Sequence, residues 1–227
     1  IRIGMAAART MAQALGLPMA AVPTLESFVY AERTPAPEDG EALEQSAHKE
    51  ALSGDPIIVC PMLDARRKQV YAAAYIIENA ARGADGGYRE IVSAGVYDVS
   101  GFLALAVKAA EKEHAALIRM YGDGSDSYAS AVSEAAASCS VDIEYALRSS
   151  RYQSAENVLM MARAMAQSGD TVSCSEVKPD YMRKSEAERK LEAGQLGKKT
   201  GTKTVLKTQQ PAAENGMEIP AADEPVT

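Results

Sequence analysis

The chain has no tryptophan, two phenylalanines, two histidines and three cysteines in 227 residues, and each scarcity removes a class of chemistry. Cys60, Cys139 and Cys174 are odd in number and far apart, with no Cys-x-x-Cys spacing. That favours free, mostly buried thiols in a reducing cytoplasm over disulfides or a zinc site. His48 and His114 stand away from any Cys, Asp or second His at ligand spacing, so no metal is expected. His114 follows Glu111-Lys112-Glu113 and reads as a polar residue near a helix C-terminus, where positive charge is tolerated. No Gly-x-Ser-x-Gly elbow, Walker loop or dinucleotide fingerprint occurs, and no apolar run is long enough to span a bilayer. Positive charge is also short: 24 Lys+Arg against 31 Asp+Glu give a formal net charge of −7. A strong nucleic-acid binder needs a concentrated basic face, so binding by the chain alone is not expected, although a local basic patch or a binding partner stays open. The ten tyrosines are scattered, which favours edge-of-core positions over a base-stacking platform.

An initiator methionine is lacking as well. Residues 1–16 are expected to form a helix that has lost its beginning, since no capping residue precedes Ile1. Its small and apolar residues run nearly all round, which predicts burial on more than one side and close approach of a neighbouring helix. Gly16 and Pro18 form the expected stop, and Thr24 is expected to cap a short second helix from Leu25 to about Glu32.

Residues 33–55, with Pro35, Pro37, Gly40 and Gly54 among many acids, read as a polar surface excursion. From Pro56 the pattern turns to β. Apolar runs at 57–63 and 70–77 flank the polar Asp64-Ala65-Arg66-Arg67-Lys68-Gln69 and predict a hairpin, with a further strand at 88–96. Helices and strands then alternate: an Asp98-capped helix to about Glu113, a buried strand at 115–121, a helix from Ser125 to about Ala137, a short strand at 141–145, and an amphipathic helix opened by Ser154-Ala155-Glu156-Asn157. The order implies a mixed-sheet α/β lobe over 56–192. Tyr181 to Leu191 is the last expected element, and the polar residues 193–227 are expected to be a disordered tail.

Two segments carry candidate chemistry. Gly122-Asp123-Gly124-Ser125 joins a strand to a helix, so Gly122 and Gly124 could cradle a phosphate with their N–H groups; a plain tight turn capped by Ser125 or Asp126 is the preferred reading. Asp64-Ala65-Arg66-Arg67 at the hairpin tip could hold a phosphate or a partner's carboxylate through its guanidinium forks. An Asp making a local turn bond, with arginines in solvent, fits the same residues equally well.

Four segments in order resemble the TsaB (YeaZ) family of bacterial tRNA threonylcarbamoyladenosine biosynthesis. Arg2-Ile3-Gly4, the Ala-rich helix, Leu17-Pro18 and Val22-Pro23-Thr24-Leu25 are similar to its R-I-G…P-x-x-x-V-S-T-L stretch. Leu63-Asp64-Ala65-Arg66-Arg67-Lys68-Gln69-Val70-Tyr71 resembles its I-D-A-R-x-G-E-V-Y hairpin. Ser154-Ala155-Glu156-Asn157 resembles its late A-E-x-L helix, and Pro179-Asp180-Tyr181-Met182-Arg183 its closing P-x-Y-L-R. Lys68-Gln69 departs from the family's Gly-Glu, the 33–55 excursion is longer than usual, and the tail is extra.

The resemblance implies an actin/Hsp70-like (ASKHA, RNase H-like) fold with its second lobe intact, residues 1–32 being a remnant of a first lobe largely missing. It implies a non-catalytic scaffold or activator in the cytoplasm that dimerises with the transferase TsaD, or pairs with a second copy of itself. The ATPase TsaE and tRNA are then reached through the complex. Arg2, Ile3, Gly4, Ala7, Thr10 and Ala14 are the expected partner-facing residues, and Asp64, Ala65, Arg66, Arg67 and Tyr71 the family-motif hairpin. No catalytic residue, metal or cofactor is expected, and ATP or ADP, if bound, would not be hydrolysed by this chain. The competing reading is a peptidase-like or ATP-binding enzyme acting alone, which lacks a recognisable nucleophile–base pair. With neighbours of the first helix missing, self-association of the chain is expected.

Overall fold

The computed structural model describes residues 2–33, 56–78 and 87–183. The excursion predicted at 33–55, with His48, lies outside these residues except for Arg33, which ends a helix, and the tail and all of the last expected element beyond Arg183 lie outside them too. Tyr181–Arg183 themselves are not helical.

Chain order is α1 (Arg2–Leu15), α2 (Phe28–Arg33), β1 (Ile57–Asp64), β2 (Gln69–Ile77), β3 (Arg89–Asp98), α3 (Val99–Lys112), β4 (Leu117–Tyr121), α4 (Asp123–Ser127), α5 (Ala129–Ser138), β5 (Asp142–Tyr145) and α6 (Ala155–Ser168). The strands form one sheet in the order β3-β2-β1-β4-β5. β1–β2 and β2–β3 are antiparallel, with Leu63 opposite Tyr71; β1–β4 and β4–β5 are parallel. Three antiparallel strands followed by two parallel ones reached through helices accord with the actin/Hsp70-like architecture that the motifs imply.

Alternation along the strands divides the core between the two faces of the sheet. Ile58, Cys60 and Met62 of β1, Ala72 and Ala74 of β2, and Ile118 and Met120 of β4 pack beneath Phe102, Leu103 and Ala106 of α3 and Val132 of α5. Val59, Ala73, Tyr75, Ile77 and Tyr121 face the other way, against Leu25, Phe28 and Val29. Burial on both faces explains why these strands read as unbroken apolar runs. The edge strand β5 exposes Asp142 and Glu144, charges that discourage edge-to-edge pairing.

The helix ends follow local rules. Asp98 caps α3 by accepting from the Gly101 N–H at 2.8 Å, and Ser154 caps α6 by accepting from Asn157 N–H at 3.1 Å. Gly16 (φ 64°) and Gly169 (φ 80°) end α1 and α6 in the left-handed region. His114 takes the same role after α3 at φ 53°, with the Ala115 N–H reaching back to the Ala110 carbonyl at 2.9 Å. That accounts for the histidine as a helix terminator.

Three expectations need correction. The second helix begins at Phe28 rather than Leu25: residues 24–27 form turns, and Thr24 contributes its carbonyl, which accepts from Ser27 Oγ at 2.8 Å. The single helix expected from Ser125 is two, broken at Tyr128 (φ −119°, ψ 34°). The largest difference concerns α1, where Ala12 is the buried residue while Ile3, Met11 and Leu15 are 89%, 64% and 66% exposed. The described residues supply packing for one narrow stripe of that helix, not for several sides.

Candidate functional site

The segments that carry the family motifs touch one another in space. Arg2 Nε donates to the Tyr181 hydroxyl at 2.9 Å across 179 residues of sequence, and its guanidinium lies 5.8 Å from that ring. Arg9 Nε donates to the Cys174 carbonyl at 2.6 Å, and Met19 pairs with Val172 through two backbone bonds of 2.9 Å. Gln153, next to the Ser154 cap, donates to Ser27 Oγ at 3.0 Å. Arg183 Nη1 donates to the Ala65 carbonyl at 2.8 Å, joining the closing motif to the hairpin. Of these tethers, those of Arg2 and Arg9 belong to α1; Arg2, Ile3, Gly4, Ala7, Thr10 and Ala14 are all exposed, and the Arg2 head group turns back to Tyr181.

The β1–β2 turn is strained and closely held. Arg66, Arg67 and Lys68 follow one another at φ 65°, 58° and 59°, a left-handed run that L side chains disfavour. Bonds from several elements fix it. Ala65 N–H donates to the Gln69 carbonyl at 3.0 Å, and Gln69 N–H to the Arg66 carbonyl at 3.1 Å. Val99 N–H, at the start of α3, donates to the Lys68 carbonyl at 3.3 Å. Asp64 Oδ1 accepts from the Arg66 N–H at 2.8 Å and from the Tyr128 hydroxyl at 3.0 Å. Burial and then the bond to Asp64 push the Tyr128 phenol up, partly offset by the nearby Lys68 N–H. The local turn bond of Asp64 is therefore real, while Arg66, Arg67 and Lys68 are exposed. Tyr71 lies within β2, away from the tip, opposite Val96 of β3.

Gly122 and Gly124 sit beside this turn, at the carboxyl end of β4. A Cβ on Gly122 (φ 85°) would lie 2.2 Å from the Met62 carbonyl oxygen, and one on Gly124 would lie 2.8 Å from it. Close approach of α4 to β1 thus accounts for both glycines without a ligand. Gly122 N–H is committed to the Arg151 carbonyl at 2.8 Å, Ser125 Oγ closes on the Gly122 carbonyl at 2.7 Å, and Asp123 Oδ1 accepts from Asp64 N–H at 3.2 Å. Arg151 pairs with Asp126 at 2.9 Å and stacks 4.9 Å from the Tyr145 ring centre.

A buried polar cluster on the opposite face escaped the sequence reading. Arg119, fully buried within β4, pairs with Glu32 of α2 at 2.7 Å, and Tyr121 donates to the same carboxylate at 2.6 Å. Glu144 approaches Arg119 at 3.4 Å from a more exposed position. Burial, then the charge of Glu32, push the Tyr121 phenol well up, so it remains a donor. An arginine amid Ala115–Tyr121 was the available signal; its partner could not be read because Glu32 is distant in sequence and belongs to another element. Nearby, Glu26, Tyr30, Arg33, Tyr88, Met161 and Met165 line a cleft of about 690 Å³. Tyr88 donates to Glu26, and the Arg33 guanidinium lies 5.6 and 5.2 Å from the Tyr30 and Tyr88 ring centres.

Among the described residues no group of three or more His, Cys, Asp or Glu is arranged to hold a metal ion. Cys60 is buried, which pushes its thiol up and keeps it protonated, while Cys139 and Cys174 are partly exposed free thiols. No described helix is long and apolar enough to cross a membrane.

A family model described as TsaD: tRNA N6-adenosine threonylcarbamoyltransferase matches residues 1–191. Among solved structures the chain is similar to an uncharacterized protein from Pseudomonas aeruginosa with similarity to peptidase YeaZ, at 20% identity and a TM-score of 0.50, covering 81% of this chain and 67% of that one. It is also similar to YeaZ from Pseudomonas aeruginosa, at 19% identity and a TM-score of 0.46, covering 80% and 67%. No curated protein matches. The family match and the first structural likeness agree with the resemblance carried by the four motifs, the structural likeness speaking for the fold.

Proposed function

The chain belongs to the TsaD (tRNA N6-adenosine threonylcarbamoyltransferase) family, and we propose that it serves there as a TsaB-type accessory subunit. In this reading it dimerises in the cytoplasm with the catalytic TsaD transferase, which moves the threonylcarbamoyl group to adenosine next to the tRNA anticodon. The ATPase TsaE and tRNA join through that pair. The chain holds and activates the transferase, carries out no chemical step itself, and needs no cofactor of its own.

One observation carries the proposal: the outer side of α1. Ile3 (89% exposed), Met11 (64%) and Leu15 (66%) stand in solvent on a 14-residue helix whose other side is tethered by Arg2 and Arg9, with Met19 paired to Val172 just beyond its end. Exposed apolar groups gathered on an anchored element favour a protein partner, because covering them removes apolar area from water. Gly4, Ala7 and Ala14 add small residues beside them, which lets a partner helix come close.

Co-purification with the transferase tests the reading. Ala7→Arg puts a long charged side chain in the middle of the outer face and is expected to abolish complex formation and tRNA modification while the chain stays folded. Intact complex and modification with Ala7→Arg would remove α1 as the interface.

A further inference from the structure

We infer that the β1–β2 turn is a contact for the phosphodiester backbone of RNA, made by the side chains of Arg66, Arg67 and Lys68. This rests on the reading of the chain as a subunit of a tRNA-modifying assembly and adds to it a contact that the chain itself makes.

The first support is charge. Three successive cations stand exposed at the tip of one hairpin, on a chain whose formal net charge is −7. Such a local patch meets the electrostatic requirement for phosphate contacts, which the overall composition does not. Arg66 Nε lies 3.6 Å from Asp64 Oδ2 on a side chain 87% exposed, so a phosphate can compete for its planar fork. The nearby carboxylates are engaged by other donors as well: Asp64 Oδ1 accepts from Arg66 N–H and from Tyr128, and Asp123 Oδ1 accepts from Asp64 N–H.

The second support is the backbone. A glycine at position 68 would adopt φ 59° without strain, yet the chain keeps a cation there, as it does at 66 and 67. Disfavoured conformations persist where the surroundings over-determine them and the side chains have a task. Here α3 holds Lys68 through Val99, Arg183 holds Ala65, and Tyr128 holds Asp64. The three cations therefore project from a prepared platform, which lowers the ordering cost of binding.

The third support is shape. Arg66, Arg67 and Lys68 are all exposed at the turn, and the clefts of about 690 and 660 Å³ are lined by other residues. Exposed cations on a protruding tip suit the repeated phosphates of a polymer.

The test uses the full chain assembled with its transferase partner and total tRNA as probe, with affinity measured across a salt series. The combined variant Arg66→Asn, Arg67→Asn, Lys68→Gly removes the charges with residues that accept positive φ, so the turn keeps its fold. The expected result is a loss of about tenfold or more in affinity near 0.1 M salt, and a log–log salt slope shallower by about 2. Arg66→Lys with Arg67→Lys keeps the charge and should keep the slope. Unchanged affinity and slope in the combined variant would overturn the inference. Displacement of tRNA by magnesium–ATP at constant ionic strength would assign the turn to a free nucleotide and overturn it too, as would loss of the transferase from the combined variant. If the unaltered chain fails to co-purify with the transferase, the scaffold reading falls on its own, and the salt series on the chain alone then decides the RNA contact by the same criteria.

Discussion

Helix α1 and the β1–β2 turn make an instructive pair. The helix is regular, obeys its stop signals and has unstrained backbone, yet a single residue of it, Ala12, is buried. The turn runs through three consecutive left-handed residues, yet bonds from α3, from Tyr128 and from Arg183 hold it in place. Local regularity and tertiary anchoring are thus separate properties. The helix satisfies its own backbone and can present side chains outward; the turn depends on its surroundings and is fixed by them. Both conditions suit recognition, one through an uncovered apolar face and one through rigidly placed charge.

The sharpest way to break this comparison is to remove the turn's support. Gly122→Ala brings a methyl to 2.2 Å from the Met62 carbonyl at a residue with φ 85°. Unfolding by urea should show a loss on the order of 3 kcal/mol, from overpacking and left-handed strain together. A loss below about 1 kcal/mol would mean that α4 does not press on β1 as described. A smaller, opposite effect is expected at the tip, where Lys68→Gly relieves strain and should raise stability by about 0.5 to 1 kcal/mol after the entropy cost of glycine. Destabilisation there would mean that the lysine side chain does more for the fold than its exposure suggests. The least effect on stability is expected from Ile3→Glu on α1, within about 0.5 kcal/mol because the residue is almost fully in solvent. Light scattering should nonetheless show less self-association in that variant. If its unfolding midpoint falls markedly, α1 is packed more tightly than its exposed face indicates.

Much of the fold was legible. The apolar runs at 57–63 and 70–77 became β1 and β2, Asp98 caps α3 as expected, and Ser154 caps the helix it was expected to open. These features are local: an apolar run bounded by a polar turn, and a helix cap, are both set by residues a few positions apart. The break at Tyr128 was not legible, because it follows from the docking of α4 on β1 rather than from any helix-breaking residue. Nor was the meaning of Gly122 and Gly124, since a phosphate-cradling loop and a close-packed one use the same residue type, and the distance to Met62 distinguishes them. The motifs of the candidate site could be found in the sequence, but not the contacts of Arg2 with Tyr181 and Arg183 with Ala65, which span 179 and 118 residues.

The sequence by itself determined the α/β class, the strand and helix order, the family motifs and the cationic hairpin, because each depends on residue type and short spacing. The tertiary structure decided which sides of α1 are covered, that Glu32 pairs with the buried Arg119 while accepting from Tyr121, and that three cations stand in left-handed backbone. Those outcomes depend on through-space neighbours, where desolvation, close contact and hydrogen bonding act between residues far apart in the chain.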